Sequence, residues 1–197
     1  MSELAALVLA AGAGRRFGGI KQLAPVHGVT LIRHAIALAE VVAPGAVHVV
    51  LGAHRAQIAA QLPSGVAAIE HPDWAEGLGS SLAAGIVGLH GFPDGVLLLL
   101  ADQIALRPDA LQALAARWRA VPDRVYCAFY AAQPGVPAIF PRRLFAELAD
   151  LRGERGAKPL LLRECGQATQ LAMPEAAIDI DTAEDLACWQ ANSAAWP

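Results

Sequence analysis

The sequence predicts an α/β fold with three layers, in which helices cover both faces of a mostly parallel central sheet. Two observations lead to this fold class. Apolar runs of strand length alternate with stretches of helix length over the first half of the chain, and a βαβαβ order produces a parallel sheet with right-handed crossovers. In addition, the first apolar run, LAALVL from Leu4, has no polar face, which is typical of a strand buried on both sides.

The size and charge of the chain narrow the classes of function. Its 197 residues suffice for one domain with a sizeable core and are too few for two ordinary domains, so we expect residues 1–197 to form a single domain. The net charge of −3 provides no basic field for nucleic acid, and no polybasic cluster or apolar run of about 18 residues indicates a membrane. The N-terminus has no charged leader with a cleavage site, which predicts a cytoplasmic protein with small-molecule ligands.

The first strand is followed by a Gly-rich loop that contains two arginines and ends in a lysine. Its glycines allow positive backbone dihedrals and let the main chain approach an anion closely. Its cations add positive charge. These residues are Gly12, Gly14, Gly18 and Gly19, with Arg15, Arg16 and Lys21. Because ligands of open α/β sheets bind at the carboxyl ends of the strands, the loop is predicted to bind phosphate.

Two commoner Gly-rich motifs do not fit these residues. A Walker A loop requires Lys directly after its last Gly, but Ile20 separates Gly19 from Lys21. The dinucleotide fingerprint GxGxxG fails because Phe17 stands where the third Gly would permit close helix packing. An ordinary Gly-rich turn with solvated basic residues remains the structural alternative.

The elements of the first half follow from their hydrophobic periods. Thr30 is placed to cap a helix that runs to about Val41 and presents Leu31, Ala35 and Leu38 on one face. Strands are predicted at 46–51 and 66–70, with a short helix at 56–62 between them.

The second half continues the alternation. We expect Gly77 and Gly79 to loosen the backbone before a helix that starts at Ser80 or Ser81 and runs to about residue 89. The strand 95–100 is the most apolar and is predicted to be central. A helix from 108 to about 121, a strand at 125–130, and a short strand and helix within 135–148 follow.

The C-terminal part contains a pair of carboxylates and a helix-start signal. Asp179 and Asp181 are two residues apart, which places them on the same face of a predicted short strand. Thr182 is predicted to cap the last helix. The three cysteines, at positions 127, 165 and 188, lack the spacing of a disulfide framework or a zinc site, so we interpret them as buried, inert thiols.

Five ordered segments resemble the motifs of the MobA-like nucleotidyltransferases. LAAGAGRRFGG with the following KQL resembles the family's LAxGxxxRxG and Lys. HPDWAEGLGSSL resembles NPxWxxGxxxSL, ADQ resembles the xDxP motif, LRGERGA resembles LxGDxGA, and DIDTAED resembles DIDTPED. The resemblance is closest to the molybdenum cofactor cytidylyltransferases. It implies a Rossmann-like fold of the nucleotide-diphospho-sugar transferase (GT-A-like) type.

The resemblance also implies roles for individual residues. A nucleoside triphosphate would be bound by Leu9, Ala10, Ala11, Gly12, Gly14, Arg16, Lys21, Gly77, Ser80 and Ser81. Asp102 and Asp181 would hold Mg²⁺, and Asp179 is a weaker candidate for this role. The catalytic set would consist of Arg16, Lys21, Asp102 and Asp181. Lys158 would contact the acceptor. Without the resemblance, a structural role explains these residues as well as a functional one does. Ser80 and Ser81 would then be helix caps, and Asp102 would be a turn residue.

Five positions depart from the family pattern, one of which is Ala183 in place of Pro in the last motif. His71 replaces Asn, Ile104 replaces Pro after the aspartate, and Glu154 replaces the common Asp. Val136 stands where the family often has His, which removes an acid-base or ligand role near the acceptor.

The resemblance implies transfer of CMP from CTP, because LAAG with Ala11 tends to accompany cytidylyl transfer and LAGG accompanies guanylyl transfer. The implied acceptor is molybdopterin or its molybdenum form, and the product would serve a molybdenum hydroxylase or its maturation chaperone. The alternatives are a cytidylyltransferase for an isoprenoid or sugar phosphate, a nucleotide-binding regulator, and a nicotinamide oxidoreductase that keeps the loop for binding only.

Overall fold

The computed structural model describes residues 2–166 and 169–192. The strands are β1 (Leu4–Leu9), β2 (Pro25–Val26), β3 (Val29–Thr30), β4 (Val47–Leu51), β5 (Ala67–Glu70), β6 (Gly95–Leu100), β7 (Tyr126–Tyr130), β8 (Gln133–Pro141) and β9 (Gln170–Ala172). The helices are α1 (Leu31–Glu40), α2 (Arg55–Ala59), α3 (Leu78–Val87), α4 (Pro108–Ala120), α5 (Phe145–Ala149), α6 (Lys158–Glu164) and α7 (Ala183–Asn192). Within the described ranges, no helix has the length and apolarity needed to cross a membrane.

A seven-stranded sheet in the order β5-β4-β1-β6-β8-β7-β9 confirms the predicted α/β fold. Strand β1 pairs in parallel with β4 and with β6, and β6 is central, as its apolar sequence predicts. The sequence did not indicate that β8 would run antiparallel to both of its neighbours. The strand order reverses between β4 and β6, on either side of β1, and such a switch point opens a crevice at the carboxyl ends of the strands.

Apolar residues of β1 alternate between the two faces of the sheet and so build two cores. Ala6 and Val8 pack with α1 and α4, whereas Leu7 and Leu9 pack with residues of α3, α5 and α6. Leu7 and Val8 are fully buried, and burial of a side chain of this size stabilises the fold by roughly 1.5–3 kcal/mol. The helices therefore form the two outer layers, and the loop after β1 is attached to the most buried strand.

Two predicted helix caps are wrong. Thr30 precedes α1, but its side chain makes no capping hydrogen bond. Helix α3 begins at Leu78 rather than at Ser80 or Ser81, because Gly77 adopts φ 122° and turns the chain into the helix earlier. Both serine hydroxyls instead donate to the carbonyl oxygen of Gly77, at 2.9 and 3.1 Å, which is a common bond for serine in a first turn.

The segment with the paired aspartates is extended but is not a strand, contrary to prediction. Its backbone bonds to the loop after β6 instead of to the sheet, since Ile180 N donates to Asp102 O at 3.1 Å. Ile180 is buried, and the aspartates on either side of it point the other way. The predicted start of the last helix is confirmed: Asp185 N donates to Thr182 Oγ1 and Thr182 N donates to Asp185 Oδ2, a reciprocal cap.

Candidate active site

A cavity of about 570 Å³ lies at the carboxyl ends of β1 and β6. Most of the residues predicted to bind the nucleotide or the metal line it. They are Leu9, Ala10, Ala11, Gly12, Gly14, Arg16, Lys21, Gly77, Ser81, Asp102 and Asp181. Ser80 does not line this cavity, and Lys158 lines a different one. Predicted residues from four separated parts of the sequence therefore meet at one place.

Gly14 and Gln22 fix the shape of the loop after β1. Gly14 has φ 60°, and a Cβ there would lie 3.2 Å from both Gly19 O and Lys21 Cβ, so this position requires glycine. The buried Gln22 side chain donates to Ala10 O at 3.1 Å and to Gly12 O at 2.7 Å. Sequence reasoning did not single out Gln22, although its place directly after Lys21 in the KQ pair was a signal.

Two cations and two carboxylates form a cluster at the mouth of the loop. Lys21 Nζ lies 2.7 Å from Asp102 Oδ2 and 3.3 Å from Asp181 Oδ1, while Arg16 Nη2 lies 3.0 Å from Asp181 Oδ2. The side chains of Lys21 and Asp102 are only 14% and 21% exposed, whereas that of Arg16 is 74% exposed. Because solvent screens exposed pairs, the inner pair interacts more strongly than the outer one.

Asp102 has the features of a metal ligand. Its Oδ1 atom is buried and has no hydrogen-bond partner among the described residues, an arrangement that costs free energy unless a cation or donor binds there. In those residues, no group of three or more His, Cys, Asp or Glu side chains could hold a metal. Asp102 and Asp181 both contact Lys21 Nζ and could offer one carboxylate each. This number of protein ligands would suit Mg²⁺, which completes its shell with phosphate oxygens and water.

Asp179 and Tyr130 feel the charges of individual carboxylates in this cluster. Partial burial, followed by the charges of Asp102 and Asp181, raises the pKa of Asp179. Burial, followed by the charges of Asp179 and Asp102, raises the pKa of Tyr130. Neighbouring carboxylates raise one another's pKa because like charges disfavour ionisation, and the charge of Lys21 opposes this effect at Asp179. Tyr130, which sequence reasoning missed, thus lies close to the carboxylates.

Gly77 and Gly79 do not loosen the backbone, contrary to expectation. They allow two segments to pack main chain against main chain: Gly79 N donates to Gly153 O at 2.8 Å. A Cβ on Gly77 would lie 2.6 Å from Gly153 C and 2.7 Å from Glu154 N. The glycines are therefore needed for close approach, and they join the DWAEGLG and LRGERG motifs into one wall.

His71 and Ser80 support this wall from behind. His71 Nε2 lies 3.1 Å from Ser80 Oγ, and that hydroxyl donates to Gly77 O at 2.9 Å. Since the hydroxyl has a single hydrogen, His71 must be the donor in the first bond, so Nε2 is protonated. Both side chains are buried. We therefore interpret the predicted role of Ser80 as one of positioning Gly77.

Trp74 also lines the cavity and was not among the predicted site residues. Gly52, which follows β4, makes room for it, because a Cβ at Gly52 would collide with the Trp74 side chain and with Ala11 O. Ala53 N in turn donates to Ala11 O at 2.9 Å. The indole therefore lies next to the LAAG motif, and its place in HPDW was the signal for it.

A second cavity, of about 560 Å³, adjoins the first. Leu9, Leu78, Leu100 and Glu154 line both cavities. The walls of the second are mainly leucines from β6, α3 and α6, and its polar groups include Tyr130 and Lys158. Lys158 Nζ donates to Gln133 Oε1 at 2.6 Å. Val136, the residue in place of the family's His, also lies in this lining.

The chain is similar in sequence and in fold to known proteins. The chain is 32% identical over 169 residues to the nicotine blue oxidoreductase of Paenarthrobacter nicotinovorans, and the match covers 79% of each protein. The crystal structure of Rv0371c from Mycobacterium tuberculosis H37Rv superposes with a TM-score of 0.79 at 25% identity, covering 98% of this chain and 100% of that one. A structure of Rv0371c in complex with manganese gives a TM-score of 0.76 at 26% identity, covering 97% and 100%.

The profile of the MobA-like NTP transferase domain matches residues 6–169. This match begins in β1 and includes the Gly-rich loop, the Gly77 wall and Asp102. Together with the sheet order and the cavity at the switch point, it shows that the chain belongs to the family of MobA-like NTP transferase domains.

Proposed function

We propose that this protein transfers CMP from CTP to a phosphate-bearing acceptor, molybdopterin or its molybdenum form, and releases pyrophosphate. Its family is one of nucleotidyltransferases. The observation that carries the proposal is the contact of Lys21 with both Asp102 and Asp181 beside a Gly-rich loop. This arrangement combines groups for triphosphate oxygens with groups for a metal, and a protein that only bound nucleotide would not need the second set.

The reaction requires positioning and charge neutralisation more than covalent chemistry. An oxygen of the acceptor phosphate attacks the α-phosphorus of CTP, the bond from that phosphorus to the bridging oxygen breaks, and pyrophosphate leaves. The loop N–H groups, Arg16 and Lys21 would bind the triphosphate oxygens and hold them in line. For this, Arg16 and Lys21 exchange carboxylate partners for phosphate oxygens. No nucleophilic side chain of the protein is consumed.

Asp102 and Asp181 would hold Mg²⁺ in this reaction. The bound ion would neutralise charge on the α-phosphate and on the leaving pyrophosphate. The free, buried Oδ1 atom of Asp102 supports this role, because a lysine contact on Oδ2 leaves that oxygen available. The similar protein Rv0371c has a crystal structure in complex with manganese, which supports the use of a divalent ion here.

The choice of CTP rests on Ala11. This residue is almost fully buried at the cavity wall, and its carbonyl oxygen is held by Ala53 N. Ala11 and Trp74 line the same cavity, and the added methyl group of Ala11 would restrict the space for a purine. The wall built on Gly77 and Ser81 would supply the remaining contacts with the base.

The acceptor is proposed to occupy the second cavity, with Lys158 near its anionic group. The residues that the two cavities share would bring the acceptor phosphate next to the α-phosphate. Apolar walls with a few polar groups suit a ring system better than a hydrated sugar chain. This favours molybdopterin over a sugar phosphate. The dinucleotide product would then be passed to a molybdenum hydroxylase or its maturation chaperone.

A second candidate function is favoured by one comparison, the relative named nicotine blue oxidoreductase. In that case the first cavity would bind the phosphates of a nicotinamide cofactor and the second would bind a reducible ring. Hydride transfer would not need the carboxylates of Asp102 and Asp181. The two functions therefore predict different effects of removing these charges.

The deciding experiment measures pyrophosphate release with CTP, GTP, ATP and UTP, with and without molybdopterin, in the presence of Mg²⁺. Oxidation of NADH and NADPH is measured alongside. We expect release with CTP and molybdopterin, and Asp102→Asn should lower its rate about 100-fold or more, because the amide keeps the shape and loses the charge. Asp181→Asn should be similarly severe, and Asp179→Asn is the milder control. Wild-type rates in Asp102→Asn, or reduced-cofactor oxidation alone, would refute nucleotidyl transfer.

A further inference from the structure

Two thiols lie side by side near the second cavity, and the proposed reaction uses neither of them. Cys127 Sγ donates to Cys165 Sγ at 2.9 Å, although 38 residues separate the two positions. Cys127 lies in β7 and is fully buried, whereas Cys165 follows directly after α6 and is half-buried. The interpretation of all three thiols as buried and inert is thus wrong for Cys165, and also for Cys188, which is exposed.

The pKa values of the two thiols shift in opposite directions, which favours oxidation that begins at Cys165. The hydrogen bond from Cys127 lowers the pKa of Cys165, while that bond and burial raise the pKa of Cys127. Cys165 is therefore the accessible sulfur with more thiolate character, and such thiolates react first with oxidants. Since a disulfide bond is about 2.05 Å long, the sulfur atoms need to approach by less than about 1 Å.

We propose that Cys127 and Cys165 form a reversible disulfide that fastens the end of α6 to β7 and thereby restrains one wall of the second cavity. Helix α6 contributes Lys158, Leu161 and Leu162 to that wall. None of its residues lines the first cavity. The disulfide thus acts on the acceptor side and leaves the nucleotide side unchanged.

The oxidant required is a peroxide. The Cys165 thiolate attacks one oxygen of hydrogen peroxide, which breaks the O–O bond and gives a sulfenic acid and, after protonation, one water. The Cys127 sulfur then attacks the Cys165 sulfur and displaces the hydroxyl group, which leaves as a second water with the Cys127 proton. In total, two thiols and one peroxide give one disulfide and two waters. A small-molecule thiol reverses the reaction by exchange.

Helix α6 is short enough for this bond to affect its motion. Its seven residues are too few for an isolated helix to be stable. In the reduced protein, Leu160 and Leu161 are buried, and Glu164 pairs with Arg143 at 2.6 Å. A disulfide at the end of the helix adds a covalent constraint that lowers the entropy of open states. Opening of α6, and with it entry to the second cavity, should therefore become rarer.

The first test does not depend on any enzymatic activity. The full chain is treated with hydrogen peroxide, and peptides are mapped by mass spectrometry before and after a thiol reductant. We expect a cross-linked pair of peptides containing Cys127 and Cys165 and slower amide exchange in α6, by about tenfold, reversed by the reductant. Cys165→Ser and Cys127→Ala should each abolish both effects, and Cys188→Ser should abolish neither. Oxidation of Cys165 to a sulfinic acid without a cross-link, or unchanged exchange in α6, would overturn the proposal.

The second test rests on the proposed function. In the oxidised protein, the KM for molybdopterin should rise about threefold or more, while the KM for CTP stays the same. A cross-link that leaves both constants unchanged would refute the restraint on the acceptor side. If no transfer activity is found at all, the proposed function is wrong. The proposed disulfide is then still tested by the peptide cross-link and by amide hydrogen exchange in α6.

Discussion

The variant Gly77→Ala tests the backbone packing that joins the DWAEGLG and LRGERG motifs into one wall of the first cavity. Gly77 has φ 122°, and an alanine with this backbone conformation is strained by about 1–3 kcal/mol even where its side chain meets no other atom. Its Cβ would also meet Gly153 C and Glu154 N at 2.6 and 2.7 Å, and relieving such crowding costs typically about 1–3 kcal/mol more. The free energy of unfolding should therefore fall by about 2–6 kcal/mol, as measured by urea denaturation.

Gly65→Ala is the matched control. Gly65 has φ 91°, but a Cβ there meets no atom within 4 Å, so this variant contains the strain without the crowding. We expect Gly77→Ala to be less stable than Gly65→Ala by about 1–3 kcal/mol. Equal losses in the two variants would refute the backbone packing between the Gly77 turn and residues 153–154. A loss of CTP affinity in Gly77→Ala alone would connect that packing to the base side of the cavity.

Further predictions concern binding and stability. Calorimetry with CTP and Mg²⁺ should show that Lys21→Ala loses about 1.5–3 kcal/mol of binding free energy. Arg16→Ala should lose less, because the Arg16 side chain is 74% exposed. Unchanged affinity for CTP in both variants would mean that the loop is an ordinary turn. Ala11→Gly should weaken the preference for CTP over GTP by roughly 1–3 kcal/mol in competition assays, and a wild type that prefers GTP would contradict the role of Ala11. Burial lowers the pKa of His34 from 6.5 to about 4. The unfolded chain therefore binds this proton more readily, and stability should fall by at most about 3 kcal/mol as the pH drops from 6.5 to 4, with a flatter profile in His34→Gln.

The parts of the fold that depend on local patterns could be predicted from the sequence. Strand β6 is uniformly apolar and lies at the centre of the sheet, and Thr182 with Asp185 forms the predicted cap. The direction of β8 could not be predicted, because it depends on pairing with β6 and β7 rather than on the residues of β8 themselves. The start of α3 was misplaced because a glycine with positive φ replaced the serine cap.

The candidate site was predictable as a set of residues but not as a geometry. The resemblance to the family's motifs implied roles for Lys21, Asp102 and Asp181, and the structure places Lys21 in contact with both aspartates. Gln22 and Tyr130 were missed because their positions depend on tertiary contacts: the amide of Gln22 reaches back to the loop, and the ring of Tyr130 lies over Gly135, where a Cβ would collide with it. Lys158 could not be assigned to one of two cavities from the sequence.

The bond from Ile180 N to Asp102 O has a consequence for how the protein matures. It holds Asp181 beside a lysine 160 positions earlier in the chain, whereas Asp102 is 81 positions from that lysine. Because synthesis proceeds from the N-terminus at about 5–20 residues per second, a nascent chain can build the Gly-rich loop and the central strands well before Asp181 leaves the ribosome. A chain released between Asp102 and Asp181 therefore contains the Gly-rich loop and only one of the two carboxylates that contact Lys21. Under the proposed function, such a chain would lack one of the two proposed metal ligands.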